Sequence, residues 1–290
     1  MTTLRPIACV GDNVVDVFRD RRQAYPGGNA YNVAAYAVLL HQADASFTGI
    51  VGDDEFGDHI VATLERLGVG TDGVRRAHGA SGQALVDVTD DGDRVFVGSN
   101  RGGVQRSLAL RLTPDDEARF AASRLIHTSV YSGIDHLLPR LAALAPVSYD
   151  FSEVGEAPHI NDLLPHITVA CFSGAHLAPA QRTEFAHSVL AHGPQVVLIT
   201  AGAGGAFGYT ADGEFHEPIV PTPVVDALGA GDSFITGFLH HWTQSHDPRA
   251  AMVKGALAGA AACRFEGAFG HPVPVTEDQI AAIERRTFTR

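Results

Sequence analysis

The sequence predicts an α/β fold of three layers, a mostly parallel central sheet with helices on both faces, together with a small separate β-sheet. Two observations carry this expectation. Short apolar runs alternate with longer amphipathic runs along most of the 290 residues. Two turn signals, Asp91-Gly92 and Asp212-Gly213, each lie between strand-like stretches, the pattern of a hairpin.

In chain order, Ile7–Val10 reads as a buried strand and Val14–Phe18 as a second strand-like run. An arginine-rich turn and Pro26-Gly27-Gly28 follow. Ala30–Leu40 is a helix, Ser46–Val51 a strand and Glu55–Leu67 a helix. Ala84–Asp90 and Arg94–Gly98 flank Asp91-Gly92; with residues 13–26 they form the small sheet. Beyond it, Pro114–Ser123, His136–Leu144 and Pro179–His192 are predicted helices, and Arg124–Thr128, Pro146–Phe151, Ile167–Phe172 and Val196–Thr200 predicted strands. A second hairpin joins Ala206–Tyr209 to Glu214–Glu217. Ala230–Phe265 is helical and rich in alanine and glycine, so its helices pack closely. No repeat, low-complexity tract or linker divides the chain, which reads as one domain over 1–290.

Composition narrows the function. The chain is 45% apolar and 19% charged, ordinary for a globular protein with a sizeable core. Its net charge of −12 makes it a poor general ligand for nucleic-acid phosphates, each of which needs a Lys or Arg. Any anionic ligand has to be held by local geometry. Lys254 is the only lysine, which removes mechanisms needing one elsewhere. Cys9, Cys171 and Cys263 are widely separated, an arrangement that fits buried thiols and not a disulfide framework or zinc site. No apolar run approaches the roughly 20 residues of a membrane span, and the first residues show no charged region followed by an apolar segment, so no leader is expected. A cytoplasmic protein with neither nucleic-acid nor membrane partners is expected.

The most specific segment runs from Asp226 to Phe234, Asp-Ala-Leu-Gly-Ala-Gly-Asp-Ser-Phe. Small residues at a helix start let backbone N–H groups converge on one point, and the helix dipole favours an anion there. Asp232 stands beside that point. A carboxylate so placed repels a resting phosphate, unless it accepts the proton of an attacking hydroxyl during phosphoryl transfer. Alternatively, Asp232 or Ser233 only caps the helix. A second segment, Pro26-Gly27-Gly28-Asn29-Ala30-Tyr31-Asn32, puts paired glycines before two amides on one helix face, suited to hydroxylated ligands or simply to a turn and cap. Asp12 and Asp16 follow the first strand and can accept from sugar hydroxyls or from loop amides. After Val196–Thr200, Gly202, Gly204 and Gly205 mark a place where a nucleotide can lie on backbone. Phe207 occupies the third-glycine position of a dinucleotide fingerprint, and no P-loop precedes Lys254.

Together these segments resemble the ribokinase-like (PfkB) family of carbohydrate kinases over nearly the whole chain. The likeness rests on Gly11-Asp12-Asn13 with Val15-Asp16, Gly27–Ala30 with Asn32-Val33-Ala34, Val51-Gly52-Asp53-Asp54, Asp93-Arg94-Val95-Phe96 and Gly229–Phe234. Within the family it is nearest to members that phosphorylate Amadori sugar–amino-acid conjugates such as fructoselysine at the 6-hydroxyl. The resemblance implies that Asp232 is the catalytic base and that Gly229, Ala230 and Gly231, with the Asp232 N–H, form an anion hole. It implies that Asp12, Asp16, Gly28, Asn29 and Asn32 contact sugar, and that Thr200, Gly202, Gly205, Ala258 and Gly267 hold ATP. Mg²⁺ would come with the nucleotide, and K⁺ could sit at backbone oxygens near Asp226, Leu228, Ala262 and Gly267. The stretches 13–26 and 82–100 would act as a lid, whose strand edges suit a homodimer. Arg94 and Arg101, near that lid, are candidates for a substrate carboxylate.

One departure stands out. Many relatives carry Asn-x-x-Glu after a central strand, where this sequence has Ser173 and His176. Histidine is not a hard oxygen ligand for Mg²⁺, so that task passes to other groups or activity is weakened. Fructose, ribose and nucleosides are the alternative substrates. A non-catalytic sugar or nucleotide sensor is the alternative class, and a nicotinamide dehydrogenase ranks behind both.

Overall fold

The computed structural model describes residues 6–88, 94–153 and 159–288. The chain runs through β1 (Ile7–Val10), β2 (Val14–Phe18), β3 (Gln23–Gly27), α1 (Asn29–His41), β4 (Ala45–Gly52), α2 (Glu55–Leu67), β5 (Gly70–Ala77), β6 (Gln83–Val88) and β7 (Arg94–Ser99). Next come α3 (Gly103–Ser107), α4 (Pro114–Ala122), β8 (Leu125–Ser129), α5 (Leu138–Ala142), β9 (Val147–Glu153), α6 (Ile160–Leu163), β10 (Val169–Ser173), α7 (Pro179–Leu190) and β11 (Val196–Thr200). The last part holds β12 (Ala206–Thr210), β13 (Gly213–Glu217), α8 (Ala230–Ser245), α9 (Pro248–Ala262), β14 (Val273–Pro274) and α10 (Glu277–Phe288).

Nine strands form the large sheet in the order β13-β12-β11-β10-β9-β8-β1-β4-β5. All neighbours pair in parallel except the hairpin β12–β13 and its join to β11. Because side chains alternate along a strand, each strand feeds two cores. Ile7 and Cys9 pack with residues of α1, α2, α8 and α9 on one face. Ala8 and Val10 pack with Phe120 of α4, Leu138 of α5 and Val189 of α7 on the other. The three predicted layers are present, and the predicted strands of the large sheet appear within a residue or two of their expected limits.

Local signals explain the helix limits. Asp54 caps α2 by accepting from the Gly57 N–H at 2.9 Å, and Gly68 ends it in a left-handed conformation. A capping box of Thr113 and Asp116 starts α4. The long helical stretch after Ala230 is two helices: His246 turns left-handed, and Asp247-Pro248 starts α9. These helices do pack closely. A Cβ on Gly237 would lie 2.7 Å from the Lys254 carbonyl oxygen and 2.8 Å from the Ala258 Cβ.

The second sheet has the order β14-β3-β2-β6-β7. Its β2, β6 and β7 match the expected small sheet, whose turn at Asp91-Gly92 lies outside the described residues. Within the expected 13–26 stretch, Gln23–Gly27 continues past the arginine turn as a strand against β2. Two additions were not expected: β14 adds a two-residue edge, and α10 packs against β6 and β7. Arg19 pairs with Asp87 and, at 2.9 Å, with Glu284 of α10; Ser99 donates to the Thr287 hydroxyl at 2.9 Å. β5 was also missed, because its polar run Gly-Thr-Asp-Gly-Val-Arg-Arg-Ala is an edge strand with little apolar alternation. The helix expected at His136–Leu144 is shorter, a 3-10 turn over Asp135–Leu137 leading into α5.

Candidate active site

The C-terminal ends of β1, β8 and β9 meet the N-termini of α1 and α8, and three carboxylates converge there. Asp12, just beyond β1, is buried. It accepts from the Asn29 and Ala30 N–H groups at 2.5 and 3.2 Å, and from the Ser129 and Ser132 hydroxyls at 2.7 and 3.0 Å. It therefore caps α1 from outside its own helix. Gly28 makes this possible: at φ +111, a Cβ there would lie 2.8 Å from the Asn13 Cα and 3.0 Å from Asp12.

Asn29 and Asn32, one helical turn apart, both reach across to α8. The Asn29 amide nitrogen donates to Asp232 Oδ1 at 2.8 Å and to Asp150 Oδ2 at 2.7 Å. The Asn32 amide nitrogen donates to Asp232 Oδ2 at 2.6 Å, which leaves the buried Asn32 Oδ1 without a partner. Asp150, at the end of β9, also accepts from the Ser152 N–H at 2.9 Å. Asp16 on β2 is buried next to Gly27, so the small sheet contributes its carboxylate to the same region.

Burial is the main electrostatic effect on this cluster. It raises the Asp232 proton affinity, and repulsion from Asp150 and Asp12 adds to it; the two amides oppose the rise, and the pKa stands at about 8. Asp150 is pushed up to about 6, again by burial first, with Asp12 adding repulsion. A carboxylate that binds a proton near neutrality, inside a polar cleft, is suited to general-base work.

Asp232 does not cap its helix. Gly229 occupies the N-cap position with φ 74, and α8 begins without a side-chain cap. Ser233 instead ties α8 to α9, donating to the Ala258 carbonyl at 2.8 Å. The Ala230 N–H points to the Ala227 carbonyl at 3.2 Å, while the first-turn N–H groups of Gly231 and Asp232 have no helical acceptor. Space beside Gly231 is open, since a Cβ there would meet nothing within 4 Å. Asp226 takes the Leu228 N–H at 2.9 Å and the Gly267 N–H at 3.2 Å, joining three of the four positions expected at a cation site; the Ala262 carbonyl accepts from Phe265. Thr200 ends β11, and a 3-10 turn over Gly202–Gly204 follows it. The exposed side of α9 carries Val253 and Leu257, and the loop hooked to its end by Val225 N–H to Cys263 carries Val224 and Val225.

A family model for pfkB carbohydrate kinases matches residues 7–274. The chain belongs to this family. It is 41% identical over 268 residues to the fructosamine kinase FrlD of Bacillus subtilis, covering 92% of this kinase and 94% of that protein. It is 31% identical over 267 residues to the fructoselysine 6-kinase of Escherichia coli, covering 92% of this chain and all of the other. The fold is that of Arabidopsis thaliana ribokinase, solved with ribose and ATP, at a TM-score of 0.81, 20% identity and 99% and 100% coverage.

Among the kinase's expected site residues, Asp12, Asp16, Gly28, Asn29, Asn32 and Asp232 come together, with Gly229–Gly231 at the head of the same helix. Thr200 ends β11 and Gly202 and Gly205 follow it; the neighbouring β10 ends at Ser173 opposite Thr200. His176 is exposed beyond it. Arg101 is exposed in a left-handed turn after β7, its N–H bonded to the Ser99 hydroxyl at 3.1 Å; the Arg94 side chain lies outside the described residues. Three members of the cluster were missed in the sequence. Asp150 sits within a predicted strand, where a carboxylate is out of place in a buried run; that misfit was the available signal. Ser129 and Ser132 gave none, because their partner is 117 and 120 residues away.

Proposed function

We propose that this kinase transfers the γ-phosphoryl group of ATP to the primary 6-hydroxyl of an Amadori sugar–amino-acid conjugate of the fructoselysine type. The observation that carries the reading is Asp232: not spent on capping its helix, held on both oxygens by amide donors, raised in proton affinity, and next to unpaired N–H groups at a helix head. With Asp232 as base, its ionised carboxylate takes the hydroxyl proton as the new oxygen–phosphorus bond forms and the bond from the γ-phosphorus to the ADP oxygen breaks. The N–H groups at the head of α8 face the charge that builds on the transferred group. Asn32 Oδ1, buried and unpartnered, is an acceptor suited to a sugar hydroxyl. Asp12 and Asp16 supply further acceptors, and Gly28 brings backbone close to the ring.

ATP fits the opposite side. The glycine turn after Thr200 offers backbone to phosphates, and the exposed Val224, Val225, Val253 and Leu257 offer apolar cover for a flat base. Mg²⁺ would arrive on the phosphates and be held there by phosphate oxygens and water, neutralising charge. Among the described residues no group of three His, Cys, Asp or Glu is arranged to hold an ion alone. Asp226 ties the Leu228 and Gly267 segments together beside the head of α8, which supports a K⁺ site at the backbone oxygens of this loop. The substrate class draws support from the two relatives named for fructosamine and fructoselysine. It also fits the charge of the site, since an Amadori conjugate brings a protonated secondary amine toward a group of carboxylates. The β7 edge, with Val95 and Phe96 exposed, supports a homodimer formed through the small sheet.

The test is ADP release measured against fructoselysine, other Amadori conjugates, fructose, ribose and adenosine. Selective turnover of a conjugate is expected; turnover of a plain sugar alone overturns the substrate. Asp232→Asn should lower kcat by about 10²–10⁴ while sugar binding by calorimetry is retained. Turnover close to wild type would remove Asp232 from the role of base.

A further inference from the structure

Behind Asn29 lies a buried polar pair on two neighbouring strands of the large sheet. His127, in the middle of β8, is fully buried, and its register partner Ser148 on β9 is buried beside it. On the other side the row continues with Cys9 of β1. One ring nitrogen, Nε2, lies 2.9 Å from Asn29 Oδ1; the other, Nδ1, lies 3.1 Å from the Ser148 hydroxyl. Ser148 in turn lies 3.9 Å from the Cys171 thiol.

With Asp150 and Asp232 ionised, one pattern of hydrogens satisfies this chain. The Asn29 amide nitrogen faces two carboxylates, so both its protons are donated and its oxygen must face His127. That oxygen needs a donor, so Nε2 carries the ring proton. Burial pushes the histidine pKa down to about 3, so the ring is neutral and Nδ1 is bare. The Ser148 hydroxyl then donates to Nδ1 and can only accept from Cys171. The titratable groups around the pair are Asp12, Asp150 and Asp232 on the site side and Cys9 and Cys171 behind; burial raises both thiols, which stay neutral.

We infer that His127, oriented by Ser148, is a positioning residue that locks the Asn29 amide so that its nitrogen is shared between Asp150 and Asp232. The lock has work to do. A free asparagine amide turns over at little cost, and turned over it would present its oxygen to two carboxylates. Once ionised, both acids would lose a donor and gain a repelling dipole, and the reactive carboxylate would lose one of its two anchors. A buried histidine serving packing alone would instead be replaceable by an apolar residue of similar size.

The inference rests on Asp232 as the base, but its first measurements need no sugar. The ¹⁵N spectrum of the His127 ring should show the Nε2–H tautomer, neutral at pH 7; an Nδ1–H tautomer or an imidazolium overturns the assignment. Carboxyl ¹³C titration should show Asp232 releasing its proton at higher pH in His127→Leu than in the wild type. An unchanged titration overturns the lock. On the substrate that the wild type turns over, His127→Leu should lose kcat by about tenfold to a hundredfold with KM for ATP unchanged. His127→Gln, whose amide can donate to Asn29, should recover most of that loss. A loss in both parameters that Gln does not rescue marks a structural histidine. Should His127→Leu fail to fold, the ring tautomer of the wild type and the His127→Gln titration decide the matter, the latter expected to match the wild type and overturning the lock if it does not.

Discussion

With Asp232 in its proposed role as base, removing one charge from the carboxylate cluster should move the pH dependence of the enzyme in a known direction. Asp150 and Asp232 accept from the same Asn29 nitrogen at 2.7 and 2.8 Å. Their nearest oxygens are thus roughly 5 Å apart, and at an effective dielectric of about 20 two like charges at that distance repel by about 3 kcal/mol, or about two pH units in a pKa. Asp150→Asn abolishes this repulsion while keeping the side-chain shape. Asp232 should then release its proton at lower pH, and the acid limb of kcat/KM should move down by about one to two pH units from a wild-type position near 8. The limb position is the readout, not its height. The asparagine has one acceptor oxygen for two donors, Asn29 and the Ser152 N–H, so some activity is lost through weaker positioning. The assay is the pH profile of kcat/KM between pH 5 and 9 for both proteins, each checked for folding across the range. A limb that stays in place, or moves to higher pH, refutes the coupling between the two acids.

Other consequences reach stability. Gly28→Ala places a Cβ against backbone at φ +111 and should cost about 2–4 kcal/mol, read as a lower denaturation midpoint with sugar binding lost. The raised Asp232 and Asp150 affinities mean that the folded protein holds protons which the unfolded chain releases above about pH 4, so stability should fall as pH rises from about 4 to 8. Asp150→Asn should flatten that slope in urea titrations. Asp116 behaves oppositely: burial alone would raise it, but Thr113 and Arg75 outweigh burial and hold it below its usual range. Its contribution is present above the unfolded carboxylate range and lost as pH falls below it, and Asp116→Ala, which strands Arg75 and Arg119, should destabilise by about 3–5 kcal/mol at neutral pH.

The large sheet was legible in the sequence because each buried strand is a short apolar run bounded by turns or helices, as Val196–Thr200 shows. β5 was not, because an edge strand paired on one side needs no apolar face. The helix-head residues Asp232, Asn29 and Asn32 were legible as types of residue at telling spacings. What they do to one another was not. The amides were read as ligands for sugar hydroxyls, and in the fold both spend their nitrogens on Asp232. Only the Asn32 oxygen, left over from that contact, stays open for the proposed sugar. Asp150 and His127 stayed hidden for a related reason: each lies inside a strand, and a strand's polar residue shows its purpose only once the neighbouring strand and helix are in place.

The donors around the three carboxylates are all neutral: backbone N–H groups, serine hydroxyls and asparagine amides. An arginine in any of those places would hold its acid ionised and firmly paired, and would depress the proton affinity that a base needs. Neutral donors fix position without neutralising charge. The cluster is thus left to be balanced by what enters the cleft, and a substrate ammonium or a metal-bearing nucleotide can supply that balance. Aspartate in place of Asn29 or Asn32 would test this logic at its weakest point, since it adds a fourth charge where a donor stood. Such a variant should bind a proton across the neutral range and turn over poorly at pH 7. It should regain activity only as the pH is raised, where the acids ionise. Asn29→Ala, which removes the donor without adding charge, should show a smaller alkaline displacement of the same limb. Equal profiles for the two variants would mean that charge in this cluster does not govern the proton affinity of Asp232.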